Sequence, residues 1–135
     1  MHIIDTWQKS ASQLISVAAG RDHAELVVQN CRLVNVNSRE ILDGWEVAII
    51  KGRFAYVGPS ASHCIGPDTT VFDAEGKFII PGLCDGHMHI ESGMLTPAEF
   101  AAAVIPHGTT TMFTDPHEIA NVLGLSGVKM MHDEA

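Results

Sequence analysis

The sequence predicts an α/β protein preceded by a small all-β unit. Between residues 25 and 80, short runs rich in Val, Ile, Phe and Tyr alternate with turn-forming residues, which is typical of a small sheet. From residue 81 onward, strand-like and helical patterns follow one another in the order β-α-β-α-α, which indicates a parallel sheet or barrel. We therefore predict an N-terminal helix and lead-in over 1–24, a β domain over 25–80, and the first βα units of a larger fold over 81–135.

The first segment has a helical pattern of apolar residues. In IIDTWQKSASQLISVAA, residues 3 to 19, apolar side chains recur near every third or fourth position. Gly20 follows as a C-terminal stop. We predict an amphipathic helix that packs on a neighbouring surface.

Six runs build the predicted β segment. They are ELVVQN, RLVNVN, EVAIIKG, RFAYVG, TTVFDA and KFIIPG. Turn formers separate them: Asn30 divides the first two runs, and Lys51-Gly52 has the form of a tight hairpin. A structural sheet that carries no chemistry is the preferred interpretation.

Composition excludes several classes of protein. The 135 residues suffice for one domain with a core, and 46% of them are hydrophobic. A formal net charge of −8 argues against nucleic acid and anionic membranes as partners. The odd count of three cysteines without a CxxC, at Cys31, Cys64 and Cys84, argues against disulfides or a zinc knuckle and favours buried free thiols. We predict a cytoplasmic protein, since no signal-peptide pattern is visible.

The stretch PGLCDGHMHIES, residues 81 to 92, carries two histidines between two acids. Residues two apart in a strand point to the same face, so all four share one face of the predicted strand. They are Asp85, His87, His89 and Glu91. Two imidazoles at this spacing can bind one divalent ion, with further ligands from elsewhere. The alternative is a pair of hydrogen-bonded strand histidines. The metal interpretation is favoured because α/β folds place ligands at the C-terminal ends of their strands.

A second polar motif, TDPHEIAN, follows the next predicted strand. Asp115, His117 and Glu118 would lie just past its C-terminal end, beside the two histidines. They are predicted catalytic groups that orient ligands or move protons. The alternative, which can hold at the same time, is helix capping, with Asp115 as N-cap and Pro116 as the first helical residue. His107 precedes the same strand and is expected at the opposite end, where residues usually have structural roles.

The run DGHMHIESGMLTPAEFAAAVIPHGTTTMFTDPHEIANVLG resembles the adenine deaminase family of the amidohydrolase superfamily. The resemblance implies a metal-dependent (β/α)8 barrel preceded by a small β domain, a composite sandwich. It also implies hydrolytic deamination of a small purine, adenine, to hypoxanthine and ammonia. The implied cofactor is a divalent metal centre, often binuclear, of manganese, iron or zinc. His87 and His89 match the family's HxH metal ligands, and Asp115, His117 and Glu118 match a block near the site. Asp85 and Glu91 are expected to bind substrate or to orient the ligands.

The length departs from this family pattern. A (β/α)8 barrel takes about 250 residues, so residues 81–135 have room for about two of its eight βα units. We expect the N-terminal portion of a deaminase that is inactive alone and whose full-length form can assemble into a homo-oligomer. Two alternatives stay open. One is another amidohydrolase that acts on a cyclic amide or amino-substituted ring, and the other is a non-catalytic chain that binds a partner through its β domain.

Overall fold

The computed structural model describes residues 3–135, with side chains from residue 10 onward. The chain divides into two compact units, Met1–Pro81 and Gly82–Ala135. In the described part of the chain, no helix is long and apolar enough to cross a membrane.

The first unit combines a helix with a five-stranded sheet. Its elements are α1 (Ile3–Ala18), β1 (Leu26–Asn35), β2 (Glu40–Ile50), β3 (Arg53–Gly58), β4 (Thr70–Asp73) and β5 (Phe78–Ile79). The strands run in the order β3-β2-β1-β4, and β5 also pairs with β1. The β1–β2 and β2–β3 pairs are antiparallel, whereas β4 and β5 run parallel to β1. The sheet is therefore mixed.

Helix α1 packs onto this sheet. It ends at Ala18, and Gly20 follows with a φ of 67°, so the predicted helix and its stop are confirmed. Val17 at its C-terminal end is fully buried in one cluster with residues of β1, β2 and the following loops. The cluster comprises Val17, Ala24, Val27, Ala48, Ile50, Ala61 and Cys64. The core of the unit thus lies between α1 and one face of the sheet.

Strand β1 corrects one sequence prediction. The runs ELVVQN and RLVNVN form a single strand, and Asn30 does not turn the chain between them. The β1–β2 pairing is irregular between Val28 and Cys31, and Asn30 has a left-handed φ of 51°. An asparagine tolerates this conformation, so the residue accommodates a bulge. The predicted hairpin at Lys51-Gly52 is confirmed, with φ values of 50° and 65° as a two-residue type I′ turn requires.

The three cysteines are free thiols. Cys31 and Cys64 are buried, and their Sγ atoms donate to the carbonyl oxygens of Trp45 and Val17 at 2.9 and 3.3 Å. Burial raises the pKa of both thiols, so both stay protonated and unreactive near neutral pH. Cys84 is exposed, and the prediction of a buried thiol is wrong there.

Replacement of Val27 by alanine is expected to destabilise the first unit by roughly 2 kcal/mol, because two buried methyl groups are lost and a cavity remains. Val27 is 0% exposed in the core cluster. Urea unfolding followed by tryptophan fluorescence measures the change, since Trp7 and Trp45 both belong to this unit. The matched control is Val36→Ala at a valine that is 60% exposed. Equal losses for the two variants would contradict the core assignment.

The second unit contains two parallel strands and three α-helices among its described elements. These are β6 (Leu83–Met88), α2 (Pro97–Val104), β7 (Thr109–Thr114), α3 (His117–Leu123) and α4 (Leu125–Glu134). Short 3₁₀ turns at Glu91–Gly93 and Ile105–His107 precede α2 and β7. The predicted order β-α-β-α-α and the parallel pairing of the two strands are confirmed. Both strands therefore end at the same edge of this small sheet.

Local sequence determines where the helices of this unit begin. In α2, Thr96 is the N-cap, and its Oγ1 accepts from the Glu99 amide at 3.5 Å. The capping interpretation of the second motif is wrong. Helix α3 begins at His117 with Pro116 as the N-cap and without a side-chain cap, so Asp115 is free for another role. Helix α4 begins at Leu125, also without a side-chain cap.

Candidate metal centre

The two histidines of the HxH motif converge where β6 ends. The strand stops at Met88, so His87 lies in it and His89 is the first residue beyond it. Their Nε2 atoms are 2.9 Å apart, and their rings are nearly perpendicular at 82°. The common strand face predicted for all four polar residues does not extend to Glu91. The chain leaves the strand before that residue and forms the 3₁₀ turn Glu91–Gly93.

A backbone contact determines the tautomer of His89. Its Nδ1 lies 2.8 Å from the carbonyl oxygen of Asp115. A carbonyl oxygen only accepts hydrogen bonds, so Nδ1 carries the proton and donates. In the neutral ring, the lone pair therefore resides on Nε2, the atom that faces His87. Metal-binding histidines are typically oriented in this way by a partner on their other nitrogen.

Asp115 joins the pair from the adjacent strand. It follows β7 directly, and its amide donates to the carbonyl oxygen of Met88 at 3.0 Å, which extends the pairing of the two strands. One ligand atom from each of His87, His89 and Asp115 lies within 4.8 Å of the others. The predicted convergence of the two motifs at one edge of the sheet is present in the structure.

The donor set of these three residues fits a divalent transition metal. Imidazole nitrogens and a carboxylate oxygen suit ions of the zinc, iron and manganese type. Two nitrogens at about 2.0–2.1 Å from one ion in tetrahedral geometry lie about 3.3 Å apart. The 2.9 Å between the two Nε2 atoms requires only a small adjustment. Three protein ligands leave positions on the ion for water or substrate, as catalytic centres require.

His117 and Glu118 extend the cluster on the side of α3. The His117 ring lies 4.6 Å from that of His89, and its Nδ1 is 3.3 Å from Oδ2 of Asp115. Glu118 is half-buried, and its Oε1 accepts a hydrogen bond from the Ser92 hydroxyl at 2.6 Å. The structure therefore places His117 against the predicted ligands and connects Glu118 to the turn after β6.

The two acids that flank HxH have different surroundings. Asp85 Oδ1 accepts from the backbone amide of His87 at 3.0 Å, which steadies the strand end that carries the histidine. Glu91 Oε1 accepts from the amide of Ile119 at 3.4 Å. Its Oε2 is buried and has no hydrogen-bond partner among the described residues. An unsatisfied buried oxygen is costly, so Oε2 is a ready acceptor for a donor or cation from outside the described residues.

Ser92 is the residue of this region that sequence reasoning missed. The available signal was its position, since it follows the HxHxE pattern at the end of a strand parallel to β7. His107, in contrast, lies in the 3₁₀ turn before β7 and outside the metal-binding group, as predicted.

Residues 78–135, which contain all the residues of this site, match the family model described as the amidohydrolase family. Over 96% of its length, the chain is similar to part of the adenine deaminase of Ruegeria pomeroyi. The two sequences are 68% identical over 130 residues, and this alignment covers 96% of this chain and 22% of the relative. The chain is 51% identical over 128 residues to the adenine deaminase of Clostridium botulinum, covering 95% of this chain and 21% of the relative. The chain thus spans about 22% of the length of the first of these relatives. The family resemblance predicted from the motifs is confirmed.

Solved structures show a similar fold. A molinate hydrolase superposes with a TM-score of 0.55 at 24% identity over 78% of this chain and 28% of its own. A prolidase complexed with N-methylphosphonate-L-proline superposes with a TM-score of 0.53 at 22% sequence identity. The match covers 74% of this chain and 29% of the prolidase. The L-hydantoinase (dihydropyrimidinase) of Arthrobacter aurescens superposes with a TM-score of 0.51 at 28% sequence identity. The match covers 69% of this chain and 21% of the hydantoinase. The fold is therefore confirmed as a mixed α/β fold of the amidohydrolase type.

Proposed function

We propose that the complete protein catalyses the metal-dependent hydrolytic deamination of adenine to hypoxanthine and ammonia. This chain would supply one side of its metal centre. The observation that carries the proposal is the convergence of the His87 and His89 Nε2 atoms at 2.9 Å beside Asp115. It occurs in a sequence 68% identical to an adenine deaminase. The proposal includes residues 81–135 as the first βα units of a (β/α)8 barrel, after a lead-in over 1–24 and a composite β domain over 25–80.

His87 and His89 would hold the ion, with Asp115 as a third group at the same position. A divalent metal, when bound, lowers the pKa of a coordinated water and so supplies a nucleophile near neutral pH. Manganese, iron and zinc all suit this donor set. A binuclear centre would need ligands beyond the three residues that converge here. The free, buried thiols Cys31 and Cys64 support a reducing, cytoplasmic setting for the same proposal.

The residues on the α3 side would manage the protons of the reaction. The oxygen of water forms a bond to the ring carbon that bears the amino group, and the bond between this carbon and the amino nitrogen breaks. One proton of that water ends on the departing ammonia and the other on a ring nitrogen. In this proposal, His117 and Glu118 would move these protons. Glu91, whose Oε2 has no partner among the described residues, would accept a hydrogen bond from substrate or water, and Asp85 would steady His87.

A second candidate is hydrolysis of a cyclic amide by the same centre. The observation in its favour is the 28% identity and similar fold of the L-hydantoinase of Arthrobacter aurescens. Both reactions use water as the nucleophile, so the residues of this chain fit either. The much higher identity to adenine deaminases favours deamination.

The test is expression of the complete reading frame with added manganese and assays for ammonia release from adenine and for ring opening of hydantoin. We expect ammonia release and no ring opening. Ring opening without ammonia release would replace the first function by the second. The 135-residue chain alone, assayed in parallel, should be inactive. Activity of that chain would contradict the proposal that it supplies only part of the centre.

A further inference from the structure

Two hydrogen bonds connect the turn after β6 with the start of α3. Ser92 Oγ donates to Glu118 Oε1 at 2.6 Å, and the Ile119 amide donates to Glu91 Oε1 at 3.4 Å. Consecutive residues of the turn thus contact consecutive residues of the helix. The two contacts fix the approach of the helix start to the turn at two points.

The Ser92–Glu118 contact is the stronger of the two. An O–H···O distance of 2.6 Å to a carboxylate is in the range of charge-assisted hydrogen bonds. A glutamate side chain has several rotatable bonds and loses conformational freedom when it is ordered. Because Ser92 holds one oxygen of the Glu118 carboxylate, the plane of the carboxylate and the direction of its second oxygen are restricted. The serine hydroxyl therefore orients the whole carboxyl group before substrate arrives.

This bond lies between the two segments that carry the metal-binding residues. The turn begins directly after His89 and Ile90, and α3 begins two residues after Asp115. Asp115, which follows β7, is itself held at the end of β6 by backbone hydrogen bonds to Met88 and His89. Glu118 is consequently fixed relative to these residues from two sides, by the backbone of α3 and by Ser92.

We propose that Ser92 is a positioning residue for the deamination, whose hydroxyl holds the Glu118 carboxyl group in the orientation that proton transfer to or from substrate requires. The inference rests on the proposed function, because it assigns Ser92 its role through a proton-transferring Glu118. Ser92 itself lies outside the group formed by His87, His89 and Asp115.

The test uses the complete protein loaded with manganese, with kcat and KM for adenine and bound metal measured for each variant. Ser92→Ala is expected to lower kcat by roughly 10- to 100-fold, the usual cost of losing a group that orients an active residue. KM, metal content and the thermal unfolding midpoint should stay near the wild-type values. Ser92→Thr keeps the hydroxyl and should restore most of kcat. The matched control is Ser126→Ala, which removes an exposed serine hydroxyl that also donates at 2.6 Å, to the Leu123 carbonyl oxygen.

A double-mutant cycle separates positioning from a general structural effect. If Ser92 acts through Glu118, the kcat of Ser92→Ala/Glu118→Gln should equal that of Glu118→Gln alone. Three outcomes would overturn the inference on Ser92 without affecting the proposed function. They are a double variant whose loss of kcat is the product of the two single losses, an unchanged kcat in Ser92→Ala, and failure of Ser92→Thr to restore kcat. A wild-type protein that binds manganese but releases no ammonia from adenine would overturn the proposed function, and the inference with it.

Discussion

Replacement of His89 by alanine in the complete protein is expected to remove most of the bound metal and to lower adenine deamination by at least about 100-fold. Loss of a group that orients a metal ligand reduces activity by up to about 100-fold, and loss of the ligand itself should reduce activity at least as much. His89 has a defined tautomer, because the backbone carbonyl oxygen of Asp115 accepts a hydrogen bond from Nδ1–H, which leaves the Nε2 lone pair toward His87. His87→Ala should have the same effect, since the two nitrogens face one position. Metal content by elemental analysis and ammonia release from adenine measure the two effects.

The control for these variants is His107→Ala. His107 is an exposed histidine of the same unit, and it lies before β7 rather than after it. Its replacement should leave metal content and deamination unchanged. Full metal content in both His87→Ala and His89→Ala would refute the assignment of the two histidines as ligands. Loss of metal in His107→Ala would show that the variants act through folding.

The order of elements in the second unit was predictable because several of its boundaries have a local cause. Thr96 and Pro97 start α2 by N-cap chemistry and a fixed φ, and Gly124 ends α3 with a left-handed φ of 62°. Such signals depend on residues within a few positions of one another. Asn30 shows the limit of this approach. An asparagine with positive φ serves a turn and a β-bulge equally well, and only the pairing of β1 with β2 distinguishes them.

The convergence of the HxH motif with Asp115 was predictable from topology. Parallel neighbouring strands end at one edge, so polar residues that follow each strand meet there. The face shared by Asp85, His87 and His89 was argued from strand alternation, which holds only until β6 ends at Met88. His89 reaches His87 because its ring is held by the Asp115 carbonyl oxygen, a contact 26 residues away in sequence. Sequence periodicity contains no information on that contact.

The roles of Glu91 and Ser92 depend on side-chain geometry in the same way. Their partners on α3 lie 28 and 26 residues away. Neither the type of the two residues nor their spacing predicts which one contacts Glu118. Sequence reasoning selected Glu91 and missed Ser92, and the structure divides their contacts: Glu91 accepts from a backbone amide, whereas Ser92 donates to the carboxylate.

Replacement of Glu118 by glutamine in the complete protein is expected to lower kcat for adenine by roughly 10²- to 10⁴-fold, the range for loss of a general acid or base. Glutamine keeps the size of the side chain and an oxygen that accepts from Ser92, but it cannot take up and release the proton. Metal content should stay at the wild-type level, because Glu118 is outside the group formed by His87, His89 and Asp115. This combination of retained metal and lost kcat distinguishes the variant from His89→Ala. Steady-state kinetics with metal analysis of the same preparation measure both quantities.

The matched control is Glu99→Gln, at an exposed glutamate in the first turn of α2. Its side chain lies on a different helix, so kcat should stay within about twofold of wild type, as for surface substitutions generally. Loss of metal in Glu118→Gln would reassign Glu118 to the metal centre. An unchanged kcat would remove it from proton transfer and leave His117, whose ring lies 4.6 Å from that of His89, as the group to test next. A loss of kcat confined to Glu118→Gln would instead identify the start of α3 as the side of the site where the protons move.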